Sequence, residues 1–473
     1  MAEKQYDLVV LGGGTAGYVA AIRAAQLGKQ VAIVEQGLLG GTCLHKGCIP
    51  TKALLKSAEV AHTIQQSDDF GISTEGLKIN FNQVQARKNN IVKQMFDGVN
   101  HLMTQNSVDV FNGMGRILGP SIFSPQSGTI SVEYADGESE LIPNNHVLIA
   151  TGSTPMALPF LPFDHQTILS SDDILEIDAL PESLAIIGGG VIGLEFASLM
   201  TDFGVKVSVI EAGKRILPTE SKRVAQTVKK ALASRGVQFY EGVSLSEEHV
   251  EVKTSQAVLT LNDQPETFDK VLVAIGRTPN TEDLGLNNTK IKTTERGHII
   301  TNAFQQTEDK HIYAAGDCVG GLQLAHVGSK EGTIAVEHMF EQNPIALDAN
   351  KVPRCIYTNP EVASIGINAE QAKADNIKVK SQKVTFRAIG KAMIEDYETQ
   401  TGFAEMTVDA DTNEVLGVSL IGPHVTELIN EMALLQFMDG SALELGLTTH
   451  AHPSLSEILM ELGLKAEGRA IHA

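Results

Sequence analysis

The sequence predicts an α/β fold in which a strand–turn–helix–strand unit occurs twice, with an α+β domain after it. The first observation is a glycine-rich segment, YDLVVLGGGTAG, which joins an apolar run to a helical pattern. The second is its repeat in SLAIIGGGVIG, 176 residues further along. The third is a change after position 349 to short strand-like runs and a helix from Thr426 to about Met438. A length of 473 residues suits about three such domains.

Both glycine-rich segments have the spacing GxGxxG, and each is followed by an acidic residue 23 positions after its first glycine. These residues are Gly12, Gly14, Gly17 and Glu35 in the first copy, and Gly188, Gly190, Gly193 and Glu211 in the second. Such glycines form the turn, admit a pyrophosphate to the backbone and allow close helix–strand packing. The sequence therefore predicts two Rossmann-like dinucleotide-binding domains. Glu211 at a strand end favours NAD over NADP, because a carboxylate accepts hydrogen bonds from a ribose 2′-hydroxyl.

Two dinucleotides in one chain indicate internal electron transfer, with one cofactor held tightly and the other exchanged. This is the usual arrangement of a flavoprotein that a nicotinamide cofactor serves.

The charge balance excludes several classes of partner. Acidic residues outnumber basic ones by 57 to 37, and the formal charge of −20 repels nucleic acids and anionic membranes. No apolar run is long enough to span a bilayer, and MAEKQ leads directly into an apolar strand without room for a signal sequence. We therefore expect a cytoplasmic protein with no nucleic-acid or membrane partner.

The segment GGTCLHKGCIPTK holds a close cysteine pair, Cys43 and Cys48, and only Cys318 and Cys355 lie elsewhere. Structural zinc usually takes four ligands, so a metal site is the weaker interpretation. Pro50 indicates a helix that starts just after Cys48, and the pKa of a thiol beside the positive end of a helix falls. On spacing alone the pair is either a redox-active disulfide or two inert, buried thiols.

Other elements follow from periodicity and turn residues. Residues 51–65 and 83–106 have helical patterns, and residues 107–150 hold short apolar runs typical of a small antiparallel sheet. HVLIATGS (146–153) and VLVAIGRTPN (271–280) are predicted strands that end in glycine turns.

The segment GGTCLHKGCIPTKALL resembles the active-site segment of the flavin-dependent pyridine nucleotide:disulfide oxidoreductases, and the resemblance covers essentially the whole chain. Three further segments, LAHVGSKEG, YTNPEVASIG and HAHPSLSE, are similar to the branch of this family that oxidises protein-bound dihydrolipoamide. The resemblance implies an FAD-binding domain with the redox disulfide (1–152) and an NAD-binding domain (153–276). It also implies a central domain that completes the FAD site (277–348) and a C-terminal dimerisation domain (349–473).

By motif position, the resemblance makes Cys43 the sulfur that exchanges with substrate and Cys48 the one that faces the flavin. Lys52 and Glu195 match the pair near the reactive nitrogen of the flavin. The implied FAD-binding residues are Gly12, Gly14, Gly17, Glu35, Thr42, Lys52, Thr151, Gly152, Asp317 and Ala325. The implied NAD-binding residues are Gly188, Gly190, Gly193, Glu211 and Gly276. No metal is implied.

Opening a disulfide with a dithiol requires removal of a proton, and THAHPSLSEIL offers His450, His452 and Glu457. The resemblance assigns the base to His452 and its orienting acceptor to Glu457. It also implies a homodimer, in which this pair completes the disulfide site of the partner chain. The implied partners are lipoyl domains and the core acyltransferase of a 2-oxoacid dehydrogenase complex, or the glycine cleavage carrier protein.

The chain departs from the family pattern at His45 and Lys46, often AsnVal, at Thr51, often serine, and at Ser454, often threonine. None of these changes removes a reacting atom. An NADH-dependent reductase of another disulfide and an assembly subunit with residual redox activity are the alternatives. The sequence has no cysteine after Cys355, which argues against relatives with a C-terminal thiol pair.

Overall fold

The computed structural model describes residues 4–120, 128–395 and 402–473. Its helices are α1 Thr15–Gln26, α2 Gly41–Lys46, α3 Cys48–Gln65, α4 Phe81–Gln105, α5 Val191–Asp202, α6 Lys222–Ser234, α7 Ala325–Met339, α8 Ala369–Ala374, α9 Gly390–Glu395, α10 Val425–Phe437, α11 Ala442–Leu447 and α12 Glu457–Ala466. Its strands are β1 Tyr6–Leu11, β2 Val31–Glu35, β3 Asp109–Asn112, β4 Met114–Ile117, β5 Ile130–Glu133, β6 Ser139–Ile142, β7 Asn144–Ile149, β8 Ser153–Pro155, β9 Ile168–Leu169, β10 Ser183–Ile187, β11 Lys206–Glu211, β12 Gln238–Glu241, β13 Val250–Val252, β14 Ala257–Leu261, β15 Gln264–Phe268, β16 Lys270–Val273, β17 Arg277–Pro279, β18 Ile312–Ala314, β19 Arg354–Ile356, β20 Glu361–Gly366, β21 Val379–Thr385, β22 Phe403–Asp409 and β23 Val415–Gly422.

The chain divides into two compact units. The first comprises residues 1–53, 82–156 and 276–347, and the second comprises residues 54–81, 157–275 and 348–473. The predicted α/β class, with two dinucleotide-type sheets and an α+β region, is confirmed. The finer division into four domains stays a prediction.

The first unit contains a parallel sheet in the order β18-β7-β1-β2-β3. Both faces of this sheet are buried: Leu8 and Val10 belong to one apolar core, and Val9 and Leu11 to another. Burial on both faces explains why β1 is an unbroken apolar run. A separate antiparallel sheet, β4-β5-β6, accounts for part of residues 107–150.

The prediction for residues 107–150 was partly wrong. β3 and β7 lie in this range but join the parallel sheet instead, because their apolar residues fill its core. Residues 121–127 of the range lie outside the described residues.

The second unit repeats the parallel arrangement, with strand order β12-β11-β10-β16-β9 and an antiparallel sheet β13-β14-β15. Its C-terminal part is an antiparallel sheet, β19-β20-β23-β22-β21, and α10 and α12 share an apolar core with it. No helix within the described ranges is long and apolar enough to cross a membrane.

Candidate active site

The first glycine turn is closed to side chains at two of its three predicted positions. Gly12 has a φ of +100°, and a Cβ atom on it would lie 2.3 Å from the carbonyl oxygen of Ala150. A Cβ atom on Gly17 would lie 1.9 Å from the oxygen of Gly12. Gly14 is the N-cap of α1, so its backbone lies at the positive end of a helix. The N–H groups at the start of a helix can bind a phosphate group, and the assignment of this turn to FAD stays a prediction.

The second glycine turn has the same geometry. Gly188 has a φ of +114°, and a Cβ atom on it would lie 2.3 Å from the oxygen of Ala274. A Cβ atom on Gly193 would lie 2.2 Å from the oxygen of Gly188, and Gly190 is the N-cap of α5. The repeat seen in the sequence is therefore a repeat of backbone conformation.

The two acidic residues at the strand ends bind the glycine turns in the same way. Glu35 accepts hydrogen bonds from the Gly13 and Gly37 N–H groups, both at 2.6 Å. Glu211 accepts from Gly189 at 2.7 Å and from the N–H two residues after itself at 2.6 Å. A carboxylate has further lone pairs, so each can still accept a ribose hydroxyl.

Asp317 lies in a polar cluster of the first unit that sequence reasoning did not identify. Ser153 donates its hydroxyl to the Asp317 carboxylate. Arg277 donates to both the hydroxyl and the carbonyl oxygen of Ser153, at 2.7 Å each. Ser153 and Arg277 are 124 residues apart, so no local pattern could have revealed the cluster.

The remaining predicted FAD residues lie at or near the ends of neighbouring elements. Thr151 and Gly152 follow β7, and the Thr151 hydroxyl donates to the Asn280 carbonyl oxygen at 2.6 Å. Thr42 lies on α2, and Ala325 is the first residue of α7. The assignment of these residues, the glycine turn and Glu35 to FAD stays a prediction.

Gly276, which was predicted to bind NAD, has a φ of +139°. Nothing lies within 4 Å of a Cβ placed on it, so a side chain would fit there. The positive φ is the reason why glycine is favoured at this position.

A buried carboxyl near Asp317 was also missed. Glu331 on α7 accepts the Gly316 N–H at 2.8 Å. Burial raises the pKa of Glu331 to about 7, and the negative charge of Asp317 acts in the same direction. The signal was available, since this residue lies within LAHVGSKEG.

The cysteine pair lies on two consecutive helices that follow the first glycine unit. Cys43 is on α2, and Cys48 is the first residue of α3. The entry to α2 is irregular, because Gly40 and Gly41 have φ values of +105° and +61°. Gly40 donates its N–H to the Gly13 carbonyl oxygen at 2.8 Å. The cysteine segment is thus joined directly to the first glycine turn.

Both groups are thiols in this structure, and Cys43 is hydrogen-bonded to Cys48. The pKa of Cys43 is raised, first by this bond and then by burial, while Lys52 and the Cys48 N–H act to lower it. The expectation of a lowered pKa is wrong for Cys43, because two adjacent thiols cannot both ionise readily. The hydrogen bond from the Cys48 N–H, at the start of α3, acts in the lowering direction but is the smallest of these effects.

Lys52 and Glu195 occupy different units. Lys52 lies on α3, one turn after Cys48, and its charge acts on Cys43. Glu195 lies on α5 and is only 3% exposed. Its carboxylate accepts a hydrogen bond from the Tyr357 N–H at 3.0 Å. The predicted pairing of Lys52 with Glu195 stays a prediction.

His452 and Glu457 are brought together as predicted. His452 Nδ1 lies 2.9 Å from Glu457 Oε1, and the other oxygen of Glu457 accepts the Ser454 N–H at 2.9 Å. The His452 side chain is 77% exposed, so its second ring nitrogen is accessible from outside this unit. Burial alone would raise the pKa of Glu457, but the hydrogen bonds from Ser454 and His452 bring it below its usual value.

Two glycine turns for dinucleotides and a thiol pair beside the first of them define a nucleotide-dependent thiol–disulfide oxidoreductase. The family model for pyridine nucleotide-disulphide oxidoreductases matches residues 6–332, and the model for their dimerisation domain matches residues 352–462. The chain belongs to the pyridine nucleotide-disulphide oxidoreductase family.

Similar proteins narrow the assignment within the family. The dihydrolipoyl dehydrogenase of Bacillus subtilis is 51% identical over 99% of both chains. The solved structure of LpdA from Mycobacterium tuberculosis has a TM-score of 0.91 at 27% identity, over 98% of this chain and 99% of that one. The flavoprotein disulfide reductase RclA of Escherichia coli has a TM-score of 0.85 at 27% identity, over 97% of this chain and 99% of that one. The chain falls among the dihydrolipoyl dehydrogenases and is an oxidoreductase that uses FAD and NAD.

Proposed function

We propose that this chain oxidises the dithiol of protein-bound dihydrolipoamide to the disulfide and reduces NAD+ to NADH. The observation that carries the proposal is the position of Cys43 and Cys48, which follow the first glycine turn and are bonded to it through Gly40. The 51% identity to a dihydrolipoyl dehydrogenase over nearly the whole chain supports the choice of substrate.

In this proposal the cysteine pair reacts as a disulfide. One substrate thiolate attacks Cys43, a mixed disulfide forms and Cys48 leaves as a thiolate. The second substrate thiolate then closes the lipoyl disulfide and releases Cys43 as a thiolate, so the protein gains two electrons. Bound FAD supplies the two-electron acceptor between this dithiol and NAD+.

The cofactors would be held by the residues of the two glycine units. The turn from Gly12 to Gly17 and Glu35 would hold the FAD phosphates and ribose, with Asp317 on the ribityl chain. The corresponding second turn and Glu211 would hold NAD. Lys52 and Glu195 would lie near the reactive nitrogen of the flavin, as the family resemblance implies.

His452 would accept the substrate thiol proton. Its Nδ1–H donates to Glu457, which fixes the ring and leaves Nε2 as the basic nitrogen. In a homodimer this pair would serve the disulfide of the partner chain.

A His452→Gln variant tests this role. We expect dihydrolipoamide oxidation to fall by about 10²- to 10⁴-fold, the usual contribution of a general base, while FAD stays bound. Steady-state rates and the flavin absorbance of the purified protein measure the two effects. An unchanged rate would contradict the role of His452.

The homodimer would use the C-terminal part of the second unit. Leu434, Phe437 and Met438 on and after α10 are 64%, 65% and 70% exposed, which is unusual for large apolar side chains that lie together. The dimer would work in the cytoplasm and dock onto a 2-oxoacid dehydrogenase or glycine cleavage assembly. The net charge of −20 favours a basic docking module.

A further inference from the structure

The loop before α12 carries two histidines in opposite surroundings. The His450 side chain is 4% exposed, whereas that of His452 is 77% exposed. Each has its own carboxylate: Glu431 Oε1 lies 2.8 Å from His450 Nε2, and Glu457 Oε1 lies 2.9 Å from His452 Nδ1. Only His452 has a role in the proposed reaction, so the pair of the buried His450 side chain and the partly exposed Glu431 needs an explanation.

The hydrogen bonds of His450 determine its protonation state. Its Nδ1 lies 2.9 Å from the Thr448 carbonyl oxygen, and its Nε2 faces the Glu431 carboxylate. A carbonyl oxygen and an ionised carboxylate can only accept, so both ring nitrogens must donate. A ring with two N–H groups is an imidazolium ion. The pKa of His450 agrees, since the bond to Glu431 raises it above its usual value.

The charge of His450 acts on the catalytic pair. Glu431 on α10, Glu457 on α12 and the Thr448 carbonyl oxygen are the groups that stabilise this cation. In return the positive charge of His450 lowers the pKa of Glu457, although less than the hydrogen bonds do.

We propose that His450, held as a cation by Glu431, is a positioning residue that keeps Glu457 ionised and disfavours a second positive charge on His452. The cation thereby opposes protonation of the exposed histidine, whose Nε2 stays available for the substrate thiol proton. The inference rests on the proposed role of His452 and adds the reason why that base is available.

A His450→Gln variant removes the cation. Without it, the unbalanced charge of Glu457 stabilises protonated His452. We expect the acid limb of the pH profile of kcat/KM for dihydrolipoamide to move to higher pH by about 0.5–1 unit. A Glu431→Gln variant keeps the His450 ring and an accepting oxygen but removes the partner charge, and it should shift the limb in the same direction by less.

A second readout does not depend on turnover. Diethyl pyrocarbonate reacts with the neutral form of imidazole and not with imidazolium, so the pH dependence of His452 modification, followed by peptide mass spectrometry, reports the protonation of that side chain. The same upward shift is expected in both variants. If His450→Gln does not fold, the shift in Glu431→Gln alone tests whether the His450 charge affects His452.

His472→Gln is the matched control. His472 Nδ1 lies 2.9 Å from Glu461 on the same helix α12, but its side chain is 66% exposed and lies outside the loop of His452. Its removal should leave both profiles unchanged. The inference is overturned if both test variants match the unmodified protein, or if His472→Gln shifts the profiles equally. An unchanged rate in the His452→Gln variant would instead overturn the proposed role of His452 as the base.

Discussion

The two glycine units of this chain have the same turn but different surroundings. A Cβ atom on Gly12 or on Gly188 would lie 2.3 Å from a carbonyl oxygen, and both strand-end carboxylates accept from two backbone N–H groups. After β2, however, the chain enters the helix that carries Cys43, whereas after β11 it runs through ILPTES into α6 without a cysteine. The two turns share the features of a dinucleotide-binding motif. Only the segment that follows the first turn carries the cysteine pair.

The helices of the two units also pack differently. A Cβ atom on Gly332 of α7 would lie 2.4 Å from the Ala16 oxygen, so α1 and α7 approach closely through small residues. On α5, buried Glu195 and Ser198 instead accept the N–H groups of Tyr357 and Asn359. In the first unit α1 packs against α7 through small residues, whereas in the second unit α5 is held by hydrogen bonds from its buried polar side chains.

The two units should differ most in how the loss of a cysteine sulfur affects the rate of dihydrolipoamide oxidation. Cys43→Ser should lower dihydrolipoamide oxidation by at least about 10³-fold, because serine cannot form the mixed disulfide. FAD should remain bound, since the glycine turn is intact. Cys355→Ser, a matched change in the second unit, should leave the rate unchanged. Activity retained by the Cys43→Ser variant would contradict the redox role of the segment after the first turn. If that variant still docks without turnover, catalysis and assembly are separate roles of the chain.

The matched variants Gly12→Ala and Gly188→Ala should show which glycine turn binds which cofactor. Each change forces a side chain into a positive φ and against a carbonyl oxygen, at a cost on the order of 1–3 kcal/mol. Gly12→Ala should purify with little flavin absorbance. Gly188→Ala should keep its flavin but show a KM for NAD+ that is raised about 5- to 100-fold. Loss of flavin in both variants would mean that the two turns do not act separately.

The smallest effects are expected from the strand-end acids. Glu211→Gln should raise the KM for NAD+ about tenfold, because a hydrogen bond to a charged group contributes about 1.5–3 kcal/mol, and should reduce the preference over NADP+. Glu35→Gln should leave both nucleotide KM values unchanged and speed flavin release in denaturant. Steady-state kinetics and flavin fluorescence distinguish the two results, and a nucleotide effect of Glu35→Gln would count against the assignment of the units.

The sequence by itself determined the two glycine turns, their acids and the cysteine pair beside the first turn. These features follow from local spacing, since a turn, a helix start and a strand end are each set by a few consecutive residues. The meeting of His452 with Glu457, five residues apart, could be expected from its motif for the same reason.

Only the tertiary structure decided the contacts between distant groups. Glu431 meets His450 across 19 residues, and Ser153 meets Asp317 across 164. It also raised the pKa of Cys43, because the hydrogen bond to Cys48 and burial outweigh the opposing effects of Lys52 and the Cys48 N–H. Such contacts depend on how whole elements pack, and no local periodicity records which side chains that packing will bring within reach of one another.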